Sequence, residues 1–224
     1  MSRAGVRLVM LGRQGAGKGT QAVRLSRHYV VPHISTGEML RAAVKQGTEL
    51  GKRAAEIMAA GDLVPDDIMV GIVEQRLERS DTIRRGYIFD GFPRTVGQAE
   101  ALAEITASRP LDVVIDLDVP TDVVLERLAS RRVCVDCGAN YSLSSPPRYG
   151  WVCDNCGGDV IQREDDTPAA IKRRLDEYER KTAPLIAWYR EREMLEVVDG
   201  MGPPDEVSQR LIEVADRYRC QNES

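Results

Sequence analysis

The sequence predicts an α/β fold: a five-stranded parallel sheet flanked by helices. Three observations carry this. Short apolar runs alternate with longer stretches of helical period. The runs are apolar nearly throughout, as suits strands buried on both faces. A glycine-rich stretch follows the first run directly, where a strand would hand over to a helix.

Taken in order, Val6–Leu11 (VRLVML) reads as a buried strand ending at Gly12, and 17–28 as a helix. Tyr29–Ile34 reads as a second strand, weakened by Pro32. Thr36–Ala60 reads as two short helices interrupted near Gly47. Asp66–Arg79 is a helix with Ile68, Ile72, Val73 and Leu77 on one face. Tyr87–Phe92 is the third strand, Thr95–Ala107 a helix and Asp112–Val119 the fourth strand. Asp122–Arg132 is a helix, Met194–Asp199 the fifth strand, and Pro203–Tyr218 the closing helix. Cys134–Gln162 breaks the alternation: it is rich in Gly, Ser, Pro, Asn and Cys and reads as a small inserted domain. After it, Thr167-Pro168 makes a helix start, with Thr as N-cap and Pro at the first position. Pro184 should kink or break that helix.

The 224 residues, 42% of them hydrophobic, can bury a core without covalent staples. The balance of 31 basic and 35 acidic side chains argues against a nucleic-acid coat protein. No apolar run approaches the roughly 20 residues needed to span a bilayer. The N-terminus lacks the apolar core of a signal peptide. The expectation is a cytoplasmic protein with neither membrane nor nucleic-acid partner, whose cysteines are thiols or metal ligands.

Gly12-Arg-Gln-Gly15-Ala16-Gly17-Lys18 matches the G-x-x-x-x-G-K phosphate-binding loop, between the required strand and helix. Glycines let the backbone curl and point N–H groups at a phosphate chain, and the helix N-terminus adds its positive end. Lys18 adds a full charge. The motif's next position should carry Ser or Thr for Mg²⁺; here it is Gly19, with Thr20 after it. The metal would then be held through waters or by a carboxylate elsewhere. His28 and His33 read as structural.

Cys134-x₂-Cys137, fifteen residues, and Cys153-x₂-Cys156 have the spacing of a four-cysteine zinc site, with iron the chemical rival. Gly138 and Gly157 follow the pairs, as tight knuckles require. Four thiolates close the shell, so such a zinc would be structural. Cys220 has no partner in sequence and reads as a free thiol.

GKGTQ, HISTGEMLR (33–41), GDLVPDD (61–67), FDGFPRT (89–95) and DDT…IKRRLDEY (165–178), in that order, make the chain resemble the adenylate kinases over nearly its whole length, in the long form with a zinc-bearing lid. The resemblance implies a P-loop nucleotide kinase core (1–34, 65–126 and 165–224). It adds a helical NMP-binding insertion (35–64) and a zinc-binding lid (127–164). It implies reversible transfer of the γ-phosphoryl of Mg-ATP to AMP, giving two ADP; the sequence itself shows no strong association signal, so the expectation is a monomer. The acceptor phosphate is already ionised, so no general base is needed.

The resemblance also implies residue roles. Gly15, Ala16, Gly17, Lys18, Gly19 and Thr20 would hold the ATP phosphates, and Arg127 and the backbone at Gly202 the ATP base. Arg41 and Arg94 would grip the AMP phosphate. Arg127, Arg131, Arg163 and Arg174 would converge on the transferring group, the last two also reaching AMP. Asp90 would orient Mg²⁺ through its waters. Thr36, Met58, Gly61, Val64, Gly91 and Gln98 would surround the AMP nucleoside, the Gln98 amide matching one edge of adenine. Arg127 and Arg131, four apart, would share a helix face if the helix continues that far. Gly202 replaces a lysine common in the family, and serines stand in the lid centre, 140–150, which leaves GTP open as donor. A UMP/CMP kinase is the other alternative in this class. A zinc-ribbon nucleic-acid binder is the rival from another, with Arg148, Tyr149 and Trp151 in its favour.

Overall fold

The computed structural model describes residues 5–60, 62–163 and 165–221. Gly61 and the side chain of Cys220, both named above, lie outside the described residues. The main sheet has five parallel strands: β1 (Arg7–Leu11), β2 (His33–Ser35), β3 (Tyr87–Asp90), β4 (Val113–Asp118) and, last in the chain, Leu195–Asp199. Their order is β2-β3-β1-β4 and then the last strand. Leu8 of β1 lies opposite Ile88 of β3 and Val113 of β4.

Side-chain alternation along β1 builds two cores. Leu8 and Met10 face one side, where Leu25 of α1 (Lys18–Tyr29) and Leu211 of the C-terminal helix (Pro204–Gln221) cover them. Val9 and Leu11 face the other, with Phe89, Leu102 and Tyr189. Both faces are therefore dry, as the continuous apolar strands predicted. The glycine loop leaves the C-terminal end of β1, where open parallel sheets bind ligands.

The paired helices after β2 are α2 (Thr36–Lys45) and α3 (Glu49–Ala60), broken at Gly47 as expected. There follow α4 (Asp66–Leu77), a short α5 (Ser80–Arg85), α6 (Val96–Ile105) and α7 (Thr121–Ser130). The inserted segment forms its own antiparallel sheet of β5 (Arg131–Cys134), β6 (Asn140–Ser142) and β7 (Val160–Ile161). Next come α8 (Pro168–Glu177), a π-helical turn (Tyr178–Thr182) and α9 (Pro184–Arg190), then β8, the Leu195–Asp199 strand, and α10, the C-terminal helix.

Several boundaries differ from the sequence expectation. The second strand is only His33–Ser35: Tyr29 ends α1 and Val30 is left-handed, so the chain turns before pairing. The helix expected to reach Arg132 stops at Ser130, and Arg131 is already extended at φ −60°, ψ 137°. Arg127 and Arg131 therefore do not share a helix face. Thr167 does cap α8, its side chain accepting from Ala170 N, with Pro168 in the first turn. The break at Pro184 takes the form of the π-helical turn, where Ala183 N bonds Tyr178 O at 2.8 Å, five residues back. Among the described residues no helix is long and apolar enough to cross a membrane.

Candidate active site

The glycine loop is shaped by close approach to its neighbours. Gly12 has φ +130°, and a Cβ there would sit 2.7 Å from Leu117 O. Gly15 has φ +87° and would meet Val124 O at 2.9 Å. The loop thus lies directly against β4 and α7. Lys18 folds back over it, Nζ donating to Gly12 O at 2.6 Å and Arg13 O at 2.9 Å. Burial pushes the Lys18 ammonium down to about 8. Asp90 opposes this fall, while Arg94 and Arg174 add to it.

Asp90 ends β3 beside Lys18. A Cβ at position 19 would lie 3.3 Å from Asp90 Oδ2, so Gly19 leaves the carboxylate room against the loop. This is the physical counterpart of the missing Ser or Thr. Burial works to raise the Asp90 carboxyl, but His33, Lys18 and Arg94 outweigh it and hold it below its ordinary value. His33 Nε2 stands 3.7 Å from the carboxylate.

A cavity of about 550 Å³ opens over the loop. Gly15, Ala16, Gly17, Lys18, Gly19, Thr20, Asp90, Arg127, Arg131, Arg163 and Gly202 all line it. A smaller cavity of about 60 Å³ adjoins it, lined by Thr36, Met58, Val64 and Gln98. Arg41, Gly91, Arg94 and Arg174 line both and mark where the two meet. The fold thus brings together every described residue that the resemblance placed at the site. Arg127 lies along the donor-side wall, reaching Ala16 O at 3.1 Å and Gly200 O at 3.4 Å.

The arginines crowd one another. Burial first, then Arg174, holds Arg94 down to about 10. Burial and Arg41 do the same to Arg163, also about 10, and burial lowers Arg174. Guanidiniums that repel each other in a desolvated cleft favour a polyanionic ligand.

Among the described residues, carboxylates that the sequence reading did not single out hold several of these side chains. Asp166, fully buried, accepts from Arg131 Nε at 2.8 Å and from Arg131 Nη2, and from Arg174 Nη1 at 3.3 Å. Asp165 accepts from Arg174 Nη1 at 3.2 Å. Asp66 contacts Gln98, as detailed below. The signal was present in the DD pairs of GDLVPDD and DDT, but which side chain each carboxylate faces is decided by the tertiary fold.

The four cysteines form a compact cluster, with all four Sγ within 4.8 Å of one another. Cys134 Sγ is 3.4 Å from Cys156 Sγ, and Cys137 Sγ is 3.5 Å from Cys153 Sγ. Zinc–sulfur bonds of about 2.3 Å in a tetrahedron give edges of about 3.8 Å, so the cluster matches this donor set. Each knuckle closes alike, Gly138 N on Cys134 O at 3.1 Å and Gly157 N on Cys153 O at 2.9 Å.

A parallel sheet, a glycine loop with its lysine, and two cavities joined by shared arginines define a phosphate-loop nucleoside monophosphate kinase. The family model for adenylate kinase matches residues 10–194. The chain is 51% identical to the adenylate kinase of Moorella thermoacetica over 198 residues, covering 87% of this chain and 91% of that protein. It is 52% identical to the adenylate kinase of Kosmotoga olearia over 196 residues, covering 86% and 91%. Over 215 residues it is 45% identical to that of Methanococcoides burtonii, covering 95% and 99%. The chain belongs to the adenylate kinase family.

Proposed function

We propose that the chain transfers the γ-phosphoryl group of Mg-ATP reversibly to AMP, giving two ADP, with ATP in the larger cavity and AMP in the smaller. The observation that carries this is the sharing of Arg41, Gly91, Arg94 and Arg174 by both cavities. Two nucleotides seated there would present their phosphates to each other over one set of guanidiniums. An AMP phosphate oxygen attacks the γ-phosphorus, the bond to the bridging oxygen breaks, and ADP leaves. Both oxygens are ionised or become so, and no proton moves.

The chain's contribution is then positioning and charge. The loop N–H groups and Lys18 hold the donor phosphates. Arg41 and Arg94 hold the acceptor phosphate. Arg131, Arg163 and Arg174 face the group in flight, and Arg127 with the backbone at Gly202 holds the donor base. Thr36, Met58, Val64 and Gln98 enclose the acceptor nucleoside. Asp90 would hold the waters of Mg²⁺, for which its ionised carboxylate and the space left by Gly19 suit it. Mg²⁺, when bound, neutralises charge developing on the phosphate oxygens.

We read 127–164 as a lid and 35–64 as the acceptor-side insertion, the remainder being core. Their closure would exclude water and suppress ATP hydrolysis. Cys134, Cys137, Cys153 and Cys156 would hold structural zinc, whose binding supplies folding energy to a lid too small for a core of its own. The experiment is a pair of variants: Lys18→Ala and Arg94→Ala should each lose at least about a hundredfold in kcat while remaining folded by circular dichroism. Near-normal turnover in either would refute the role assigned.

A further inference from the structure

Gln98 is almost wholly buried, 2% exposed, and its amide is held at both ends. Oε1 accepts from the Arg94 backbone N–H at 2.8 Å, and Nε2 donates to Asp66 Oδ1 at 2.7 Å. The partners themselves determine which end is which. A backbone N–H only donates and a carboxylate only accepts. Flipping the amide would set NH₂ against N–H and carbonyl against carboxylate.

Asp66 is held in turn. Its Oδ2 accepts from Thr95 Oγ1 at 2.6 Å, and Thr95 Oγ1 accepts from Gln98 N at 3.1 Å as the cap of α6. The first residue of α4 is thereby tied to the first turn of α6 through the side chain that lines the smaller cavity. Each end of the Gln98 amide keeps one further hydrogen-bonding position: a second N–H on Nε2 and a second lone pair on Oε1.

We propose that Asp66 is a positioning residue for base selection: it pins the Gln98 amide in one orientation, so that the acceptor cavity offers donor and acceptor in the order that fits a 6-aminopurine and opposes a 6-oxopurine. This rests on the reading above that Gln98 faces the acceptor base. A 6-aminopurine has an acceptor at N1 beside a donor amino group. A 6-oxopurine has the reverse, N1–H beside a carbonyl oxygen. An amide free to flip serves both; a pinned one leaves buried polar atoms unpaired against the wrong base.

A plainer role for Asp66 is an acidic residue in the first turn of α4, favourable to the helix dipole. That role predicts a change in stability and none in base preference. The two separate cleanly with Asp66→Asn, whose carbonyl can accept from Gln98 Nε2 while its NH₂ donates to Thr95 Oγ1. The pin survives and the charge is lost.

The test measures kcat/KM with AMP and with IMP as acceptors, Mg-ATP as donor, in the unaltered chain, Asp66→Ala, Asp66→Asn and Gln98→Ala, with thermal melts alongside. Asp66→Ser, which keeps a helix-start residue but is too short to reach Gln98, is the second removal variant should Asp66→Ala not fold. Removal of the pin should lower the AMP-to-IMP ratio about tenfold, mainly through KM, and Asp66→Asn should keep it within about twofold. A ratio unchanged in both removal variants while Gln98→Ala lowers it overturns the proposal and leaves the base reading standing. A ratio lowered equally by Asp66→Asn also overturns it, in favour of charge. A ratio unchanged in Gln98→Ala brings down the base reading and the proposal with it.

Discussion

Replacing Asp166 with alanine should destabilise the protein more than any single exposed ion-pair deletion. The Asp166 side chain is 0% exposed, and its two partners are nearly dry, Arg131 at 17% and Arg174 at 16%. Removing the carboxylate strands Arg131 and takes one of two carboxylate partners from Arg174, in a cleft already crowded with positive charge. Breaking a buried pair from one side costs about 3–5 kcal/mol. Arg174 keeps Asp165 as a partner, which points to the lower end, about 3 kcal/mol. For a chain of this size each kcal/mol lowers Tm by about 2–4 °C, so Tm should fall by about 6–12 °C. The assay is calorimetry without nucleotide, with Asp165→Ala measured in parallel. Asp165 contacts only Arg174 of the two, and Arg174 keeps Asp166, so losing Asp165 strands neither guanidinium and should cost less, about 1–2 kcal/mol. If Asp166→Ala lowers Tm no further than Asp165→Ala, the charge network is not what organises this cleft.

Three further outcomes are expected. Lys18 titrates near 8 in the folded chain and near 10.5 unfolded, so between those values the unfolded state binds more protons and stability rises with pH, by at most about 3 kcal/mol; below pH 8 both states are charged and the contribution is flat. Urea unfolding at pH 7.5 and 9.5 should show this rise in the unaltered chain and not in Lys18→Met, and equal slopes would contradict it. Chelating the zinc proposed for the four-cysteine cluster, with removal verified by elemental analysis, should lower the thermal stability of 127–164 first; an unchanged melting profile would count against structural zinc. Gly15→Ala, forced to φ +87° with Val124 O at 2.9 Å, should cost about 2 kcal/mol or more, whereas Gly71→Ala, with nothing within 4 Å inside α4, should stabilise by about 0.5–1 kcal/mol; denaturant midpoints decide, and equal effects would refute the close-approach argument.

Much of the main sheet was legible because β1, β3 and β4 are largely apolar runs with turn residues at their ends, a local signal. β2 was overextended because Tyr29–Val31 are apolar, yet Val30 is spent on a left-handed helix end and Pro32 has no N–H to pair. The strands of the inserted segment are two to four residues long, too short for any period to register. Helix α7 was overrun because Arg131 and Arg132 suit a helix locally; pairing of β5 with β6 claims them instead. At the site, the loop and the cysteines carry fixed spacing and could be read directly. The arginines could be placed only by resemblance, since an isolated arginine has no signature of its own. The carboxylates that orient them were missed, because a pairing such as Arg131 with Asp166 spans 35 residues and exists only once the chain has folded.

The most direct test of the account is ADP formation from Mg-ATP with AMP, against UMP, CMP and GMP as acceptors and with GTP replacing ATP. The account predicts turnover with the ATP and AMP pair and at least about a hundredfold less with the other acceptors. Comparable turnover with a pyrimidine monophosphate or GMP would leave the phosphate chemistry in place and contradict the base assignment. No turnover with any pair would contradict the central claim that the two cavities hold two nucleotides over one set of arginines.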